Sequence, residues 1–196
     1  MQSRSGTSAA PLLSMRQSKE HILLVGSNLW YLGEGMLGPL FAVFSEQIGG
    51  DVLSISRAWA CYLIVMGLCT VLIGRYSDGR VSKEKIMLLG YGLNAVLTFA
   101  YLFVQTPAHL LLVQAGLGLA SALAMPTWEA LYAKYEDKKH DGFSWGLFSG
   151  GADVMLGVGV LIGGVIVSHY SFSVMFVVMG CMQVLATLYQ ARILKT

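Results

Sequence analysis

Charge is what this chain has least of. Asp, Glu, Lys and Arg make up 12% of its 196 residues, about half the share usual in a soluble domain. Cysteine is also scarce: Cys61, Cys69 and Cys181 are odd in number and lie inside apolar runs. A thiol there behaves as a small hydrophobe, so neither a disulfide framework nor a metal site is expected. His21, His109, His140 and His169 stand apart without ligand spacing. No G-x-x-x-x-G-K-[ST] phosphate loop is present, and no cofactor is expected. Residues Gly142, Ser144 and Gly146 match the letters of a hydrolase nucleophile elbow. That elbow needs a strand before it and a helix after it, whereas here a Lys-rich loop precedes an apolar segment, so enzymatic activity is not expected. The basic loops are short and offer no nucleic-acid surface.

Hydrocarbon is what the chain has in abundance. Hydrophobic residues account for 55% of it, and the mean hydropathy is +0.63. A spanning helix needs about 20 mostly apolar residues. Six stretches fit: 21–44, 58–76, 86–104, 109–131, 143–167 and 172–191. The fold class expected is all-α, a polytopic membrane protein with six transmembrane helices. Residues 1–19, Ser-rich with Arg4, Arg16 and Lys19, read as a disordered cytoplasmic tail; 20–191 form the bundle; 192–196 are a cytoplasmic end. Short connections make neighbouring helices antiparallel.

Twelve of the thirteen Lys and Arg residues fall in the tail, in the loops after the second and fourth helices, or at the end, and only Arg57 falls opposite. By the positive-inside rule both termini are cytoplasmic. The loop 74–85 dominates this count, with Arg75, Arg80, Lys83 and Lys85 around Asp78 and Glu84. The tryptophans and tyrosines are read as interfacial anchors at helix ends.

Two carboxylates lie inside apolar segments. Glu34 stands some 12 residues into the first, roughly 18 Å along a helix and near mid-membrane. Carboxyl groups at that depth are costly and mark substrate or proton pathways. Gly33, Gly35, Gly38 and Pro39 weaken the same segment, and broken helices near the midplane are where transporters bind substrates and ions. Asp153 is the second, in the fifth segment. Both are candidates for substrate binding or proton coupling. Glu129, near the end of the fourth segment, is a candidate ion-pair partner for Arg75 or Arg80. The fifth segment is rich in glycine, and Gly146/Gly150 and Gly159/Gly163 have the small-xxx-small spacing that lets helices approach closely in lipid.

The order of these features resembles one half of a major facilitator superfamily transporter. In that family the loop between the second and third helices reads Gly, two spacers, a small residue, Asp, a basic residue, a spacer, Gly and two basic residues. This chain supplies Gly74, Ser77, Asp78 and Lys83, and departs at Gly79, Val81 and Ser82, with Arg80 one position away. The resemblance implies a cytoplasmic gate at Gly74, Arg75, Asp78, Arg80 and Lys83, with Glu129 facing it. The fifth helix resembles that of the family's drug antiporters, matching at Gly159, Gly163 and Gly164 with Gly146 upstream, and with Val160 in place of the proline. The fourth helix keeps Gly116 and Gly118 and has Leu112 where the family has Arg.

The resemblance covers residues 20–191, and family members carry two such bundles in one chain. It implies a half-size secondary transporter of a small solute, working by alternating access; the compact loops suggest a bacterial inner membrane. Two copies would pair in parallel as a homodimer. An N-terminal half of a longer transporter and a non-transporting membrane adaptor are the alternatives.

Overall fold

The computed structural model describes residues 9–77, 79, 81–136 and 138–195, with side chains from Ser18 onward except Tyr76. Among these residues there is no strand. The α-helices are α1 (Ala9–Leu37), α2 (Leu40–Gln47), α3 (Val52–Ser77), α4 (Lys83–Ala100), α5 (Pro107–Tyr135), α6 (Asp141–His169) and α7 (Phe172–Gln190). Short 3-10 turns follow α4 (Tyr101–Phe103) and α7 (Ala191–Leu194).

Local chemistry sets these limits. The first apolar stretch, expected as one span over 21–44, is divided into α1 and α2 at Gly38 and Pro39. Proline lacks the N–H that would continue the helix ladder and disfavours helical geometry at the residue before it. Asp51 caps α3: its Oδ1 accepts from the Ser54 N–H at 2.7 Å and the Ser54 hydroxyl at 2.6 Å. Thr106 caps α5 through the His109 N–H, with Pro107 in the first turn where its missing donor is harmless. Ser171 caps α7 through the Val174 N–H. Gly49, with φ +83°, makes the turn between α2 and α3.

Two sequence expectations need correction. Residues 9–19, read as disordered tail, belong to α1; Pro11 is tolerated because it falls in the first turn. Residues 1–8 lie outside the described residues. Trp30 and Trp128, read as interfacial anchors, are buried. Trp30 meets Tyr91 edge-on at 4.4 Å, and Trp128 stacks on Tyr132 at 4.9 Å while its indole N–H donates to the Leu23 carbonyl at 3.2 Å. Their partners come from other helices or from the next helical turn, information that composition does not carry.

Five helical segments are long and apolar enough to cross a membrane: Val52–Arg75, Lys83–Phe103, Pro107–Tyr135, Asp141–His169 and Phe172–Leu194. This is a multi-pass integral membrane architecture. α1 does not join them on composition, because polar residues such as Ser27, Asn28 and Glu34 dilute its apolar runs.

The packing follows a spatial order different from the chain order. α3 lies on α5, α5 on α4, α4 on α7, α7 on α1 and α1 on α6. α3 and α6 are therefore the flanks, and both leave long apolar faces uncovered, with Leu63, Ile64, Leu68 and Leu72 on one and Leu147, Val154, Leu161 and Val165 on the other. Two apolar clusters make the interior. One gathers Ile22, Leu23, Trp30, Met87, Tyr91, Trp128, Tyr132 and Ala186. The other gathers Met36, Phe41, Phe44, Tyr101, Leu117, Phe172, Phe176 and Met179.

Candidate functional site

A polar layer separates the two apolar clusters. On α1 it falls at Glu34, between Trp30 and Met36; on α4 at Asn94, between Tyr91 and Tyr101; on α7 at Gln183, between Met179 and Ala186; and on α5 at Ser121, between Leu117 and Ala124. Glu34 Oε1 accepts from Asn94 Nδ2 and from Gln183 Nε2, each at 3.1 Å. Gln183 Nε2 also donates to the Trp30 carbonyl at 3.2 Å. The Tyr62 and Ser121 hydroxyls are bonded at 3.1 Å. A carboxyl in lipid costs a few kcal/mol, and a hydrogen bond to a charged group returns about 1.5–3 kcal/mol. Two amide donors on one oxygen therefore suffice to hold Glu34 without a basic partner.

The carboxyl is not sealed in. Glu34 lines a cavity of about 200 Å³ with Phe41, Trp59, Tyr62, Asn94 and Gln114. Both donors go to Oε1, and Oε2 accepts no hydrogen bond from any described residue. One oxygen is fixed by two amides and the carboxyl borders the cavity. Among the described residues no three His, Cys, Asp or Glu side chains cluster as metal ligands would.

The glycines of α1 determine how the amides reach this layer. A Cβ on Gly33 would stand 2.7 Å from Gln183 Nε2, and one on Gly26 would stand 2.5 Å from the Gln190 side chain. Each glutamine of α7 thus lies over a glycine of α1 and donates to the carbonyl three residues earlier, Trp30 for Gln183 and Leu23 for Gln190. On the other side of α1, α6 approaches just as closely. A Cβ on Gly159 would run into the Leu32 carbonyl, one on Gly163 into the Met36 carbonyl, and one on Gly35 into the Leu156 carbonyl.

The remaining sequence candidates are spread around this centre. Asp153 is exposed on α6 and does not line the Glu34 cavity. Glu129 is exposed on α5, and among the described residues no ion pair joins it to Arg75. Gly146 and Gly164 face open space. Gly74 and Arg75 fall in the last turn of α3, Gly74 with nothing near its α-carbon, and Lys83 opens α4. Asp78 and Arg80 lie outside the described residues. Ser144 sits within the first turns of α6, not at a strand-to-helix elbow.

Sequence reasoning missed Asn94, Gln183, Gln114, Ser121 and Tyr62. The available signal was the amides Asn94, Gln114 and Gln183 inside otherwise apolar segments, a costly choice in lipid that calls for a buried partner.

A family model, the Major Facilitator Superfamily, matches residues 23–195. The chain is also similar to multidrug resistance proteins MdtG. It is 23% identical to that of Klebsiella pneumoniae (strain 342) over 194 residues, covering 96% of this chain and 47% of that protein. It is 25% identical to that of Salmonella typhimurium over 160 residues, covering 80% and 39%, and 23% identical to that of Escherichia fergusonii over 177 residues, covering 88% and 43%. The chain thus spans less than half the length of each of these relatives. The extent of the family match, over the same helices that enclose the Glu34 cavity, places this chain in the Major Facilitator Superfamily.

Proposed function

We propose that the chain is a six-span half of a secondary transporter that exports a small, drug-like solute by alternating access, with Glu34 as its proton or substrate group. The observation that carries this reading is the Glu34 carboxyl, fixed through one oxygen by Asn94 and Gln183 and open to a cavity through the other. α1 and α2 together make the first span, which gives six spans and puts both termini on the cytoplasmic side by the charge count. Relatives named as bacterial multidrug resistance proteins support a drug-like solute and a bacterial inner membrane. The gate at Gly74, Arg75, Asp78, Arg80 and Lys83, with Glu129 opposite, belongs to the same reading, as does Asp153 as an accessory carboxyl. So does the close packing of Gly159 and Gly163 on α6 against α1.

The uncovered faces of α3 and α6 support a second bundle as the partner against which this one rocks. A parallel homodimer supplies it; so does a second bundle in a longer polypeptide, a reading favoured by the coverage of less than half of each relative. Native mass spectrometry from lipid nanodiscs separates them. A mass near twice 21.2 kDa supports the homodimer, and a persistent monomer refutes it.

The functional test uses proteoliposomes carrying an imposed pH gradient and a panel of fluorescent lipophilic drugs. Glu34→Gln should assemble normally and lose gradient-driven drug movement. Normal pH-dependent transport by Glu34→Gln would remove Glu34 from the mechanism.

A further inference from the structure

A second cavity, of about 350 Å³, opens at the end of the bundle opposite the chain termini, between α2, the turn after α4, and the start of α7. Its mouth is polar, with Gln47, Gln105, Ser171 and Ser173, and its floor is aromatic, with Phe44, Phe172 and Phe176. Among the described residues, Tyr101 alone lines both this cavity and the one around Glu34. We infer that this cavity is an entrance for water and protons to Glu34, separate from the uncovered face of the bundle, and that the Tyr101 ring is the partition that holds it shut.

The partition is built to stay closed yet able to move. Tyr101 is buried and stacks on Phe176 with centroids 4.9 Å apart and planes 11° apart, while Phe44 meets it edge-on at 6.1 Å. Such aromatic pairs contribute beyond the area they bury. The backbone beneath is the 3-10 turn Tyr101–Phe103, a poorer hydrogen-bonding geometry that often marks a hinge. Asn94, one donor to Glu34, lies on α4 about two helical turns before the 3-10 turn that Tyr101 opens, so movement of this segment would be felt at the carboxyl.

The groups that face Glu34 suit a proton destination. They are the phenols Tyr31 on α1, Tyr62 on α3 and Tyr101 itself, with the amides Asn94 on α4 and Gln183 on α7. Asp153 on α6 and Glu129 on α5 reach Tyr31. None is a cation that would repel an arriving proton. A hydronium entering past Tyr101 would break one of its O–H bonds as a Glu34 carboxylate oxygen forms one, leaving neutral water. This inference rests on the proposed role of Glu34, but the partition can be tested without it.

The experiment measures access. Cys61, Cys69 and Cys181 are replaced by Ser, Leu37 in the Glu34 cavity is replaced by Cys, and the protein in nanodiscs is treated with the small uncharged thiol reagent methyl methanethiosulfonate. Tyr101→Ala should raise the labelling rate by about tenfold or more, since modification no longer waits on a rare local opening. Tyr101→Phe, which keeps the stack, should label at the parent rate. Adding Ser173→Trp, which fills the second cavity, should return Tyr101→Ala to that rate. Equal rates for Tyr101 and Tyr101→Ala, or an acceleration that Ser173→Trp does not reverse, overturn the inference. If Tyr101→Ala does not fold, Tyr101→Leu carries the same comparison. Glu34→Gln should leave every rate unchanged, so loss of the Glu34 mechanism and loss of the partition register separately.

Discussion

Gly163 and Gly164 are neighbours in sequence and depth, yet the structure assigns them opposite responses to the same substitution. Adding a methyl at Gly163 places a Cβ against the Met36 carbonyl, with the Met36 α-carbon 2.8 Å away, closer than real Cβ contacts come. The colliding atoms are backbone, so relief requires α1 and α6 to separate. Overpacking of this kind costs about 1–3 kcal/mol. In lipid, helices associate through close packing with little hydrophobic drive, so the separation is not recovered elsewhere. At Gly164 nothing stands within 4 Å. There alanine should gain about 1 kcal/mol, the usual difference in helix propensity. Gly163→Ala and Gly164→Ala should therefore differ by about 2–4 kcal/mol in unfolding free energy. Gly159→Ala should behave like the first and Gly146→Ala like the second. Unfolding by titration of a denaturing detergent into mixed micelles, followed by far-UV circular dichroism, reads all four. Equal stabilities for Gly163→Ala and Gly164→Ala would refute the assignment of Gly163 to the α1–α6 crossing.

Other consequences follow from the polar layer and the helix ends. Gln183→Leu removes a donor from Glu34 Oε1 and from the Trp30 carbonyl; a double-mutant cycle with Glu34→Gln should give a coupling of about 1 kcal/mol or more in the same unfolding assay, and additivity would break the link. Gly33→Ala should displace the Gln183 amide and mimic Gln183→Leu, whereas Gly92→Ala on α4, which meets open space, should not. The Ser54 hydroxyl and N–H hold the Asp51 carboxyl below its ordinary value of 3.8, so its capping contribution is present above pH 3.8 and is lost as pH falls through the depressed value. Protection factors in the first turn of α3, exchange rates normalised to the intrinsic rate at each pH, should fall over that acid range in the parent and be lower but pH-flat in Asp51→Ala.

The helical class was legible in the sequence because lipid leaves few options: a backbone that cannot bond water must bond itself, and long apolar runs say so directly. Glu34 was legible for the related reason that a carboxyl amid hydrocarbon needs a cause. Its partners were not, because Asn94 and Gln183 reach it from segments 60 and 149 residues away, and which segments touch depends on a spatial order that no local pattern encodes. The glycines show the same boundary. Spacing and the family resemblance together marked Gly146, Gly159, Gly163 and Gly164, but only knowledge of where α1 crosses α6 separates the two that face a backbone from the two that face open space. The division of the first stretch at Gly38 and Pro39 was signalled locally, since the proline's missing donor acts wherever the chain goes.

These elements converge on α1 at one level. On one side Gln183 rests over Gly33 and bonds the Trp30 carbonyl; on the other, Gly35 admits the Leu156 backbone of α6. Glu34 sits between the two, so its α-carbon is clamped from both flanks by residues immediately before and after it. Three residues beyond Gly35 the helix ends at Gly38 and Pro39, and α2 continues without the α1 hydrogen-bond ladder. The carboxyl is therefore held on the rigid side of a break, with the cavity lining of Gly38 and Phe41 on the other. The transport role proposed for Glu34 calls for a group that exchanges a ligand while keeping its own position, and that division suits it: donors and close packing fix Glu34, and α2 lies beyond the break at Pro39. On the proposed reading, movement of α2 relative to α1 would change access to Glu34 while leaving its two amide bonds in place, because neither donor is carried by α2.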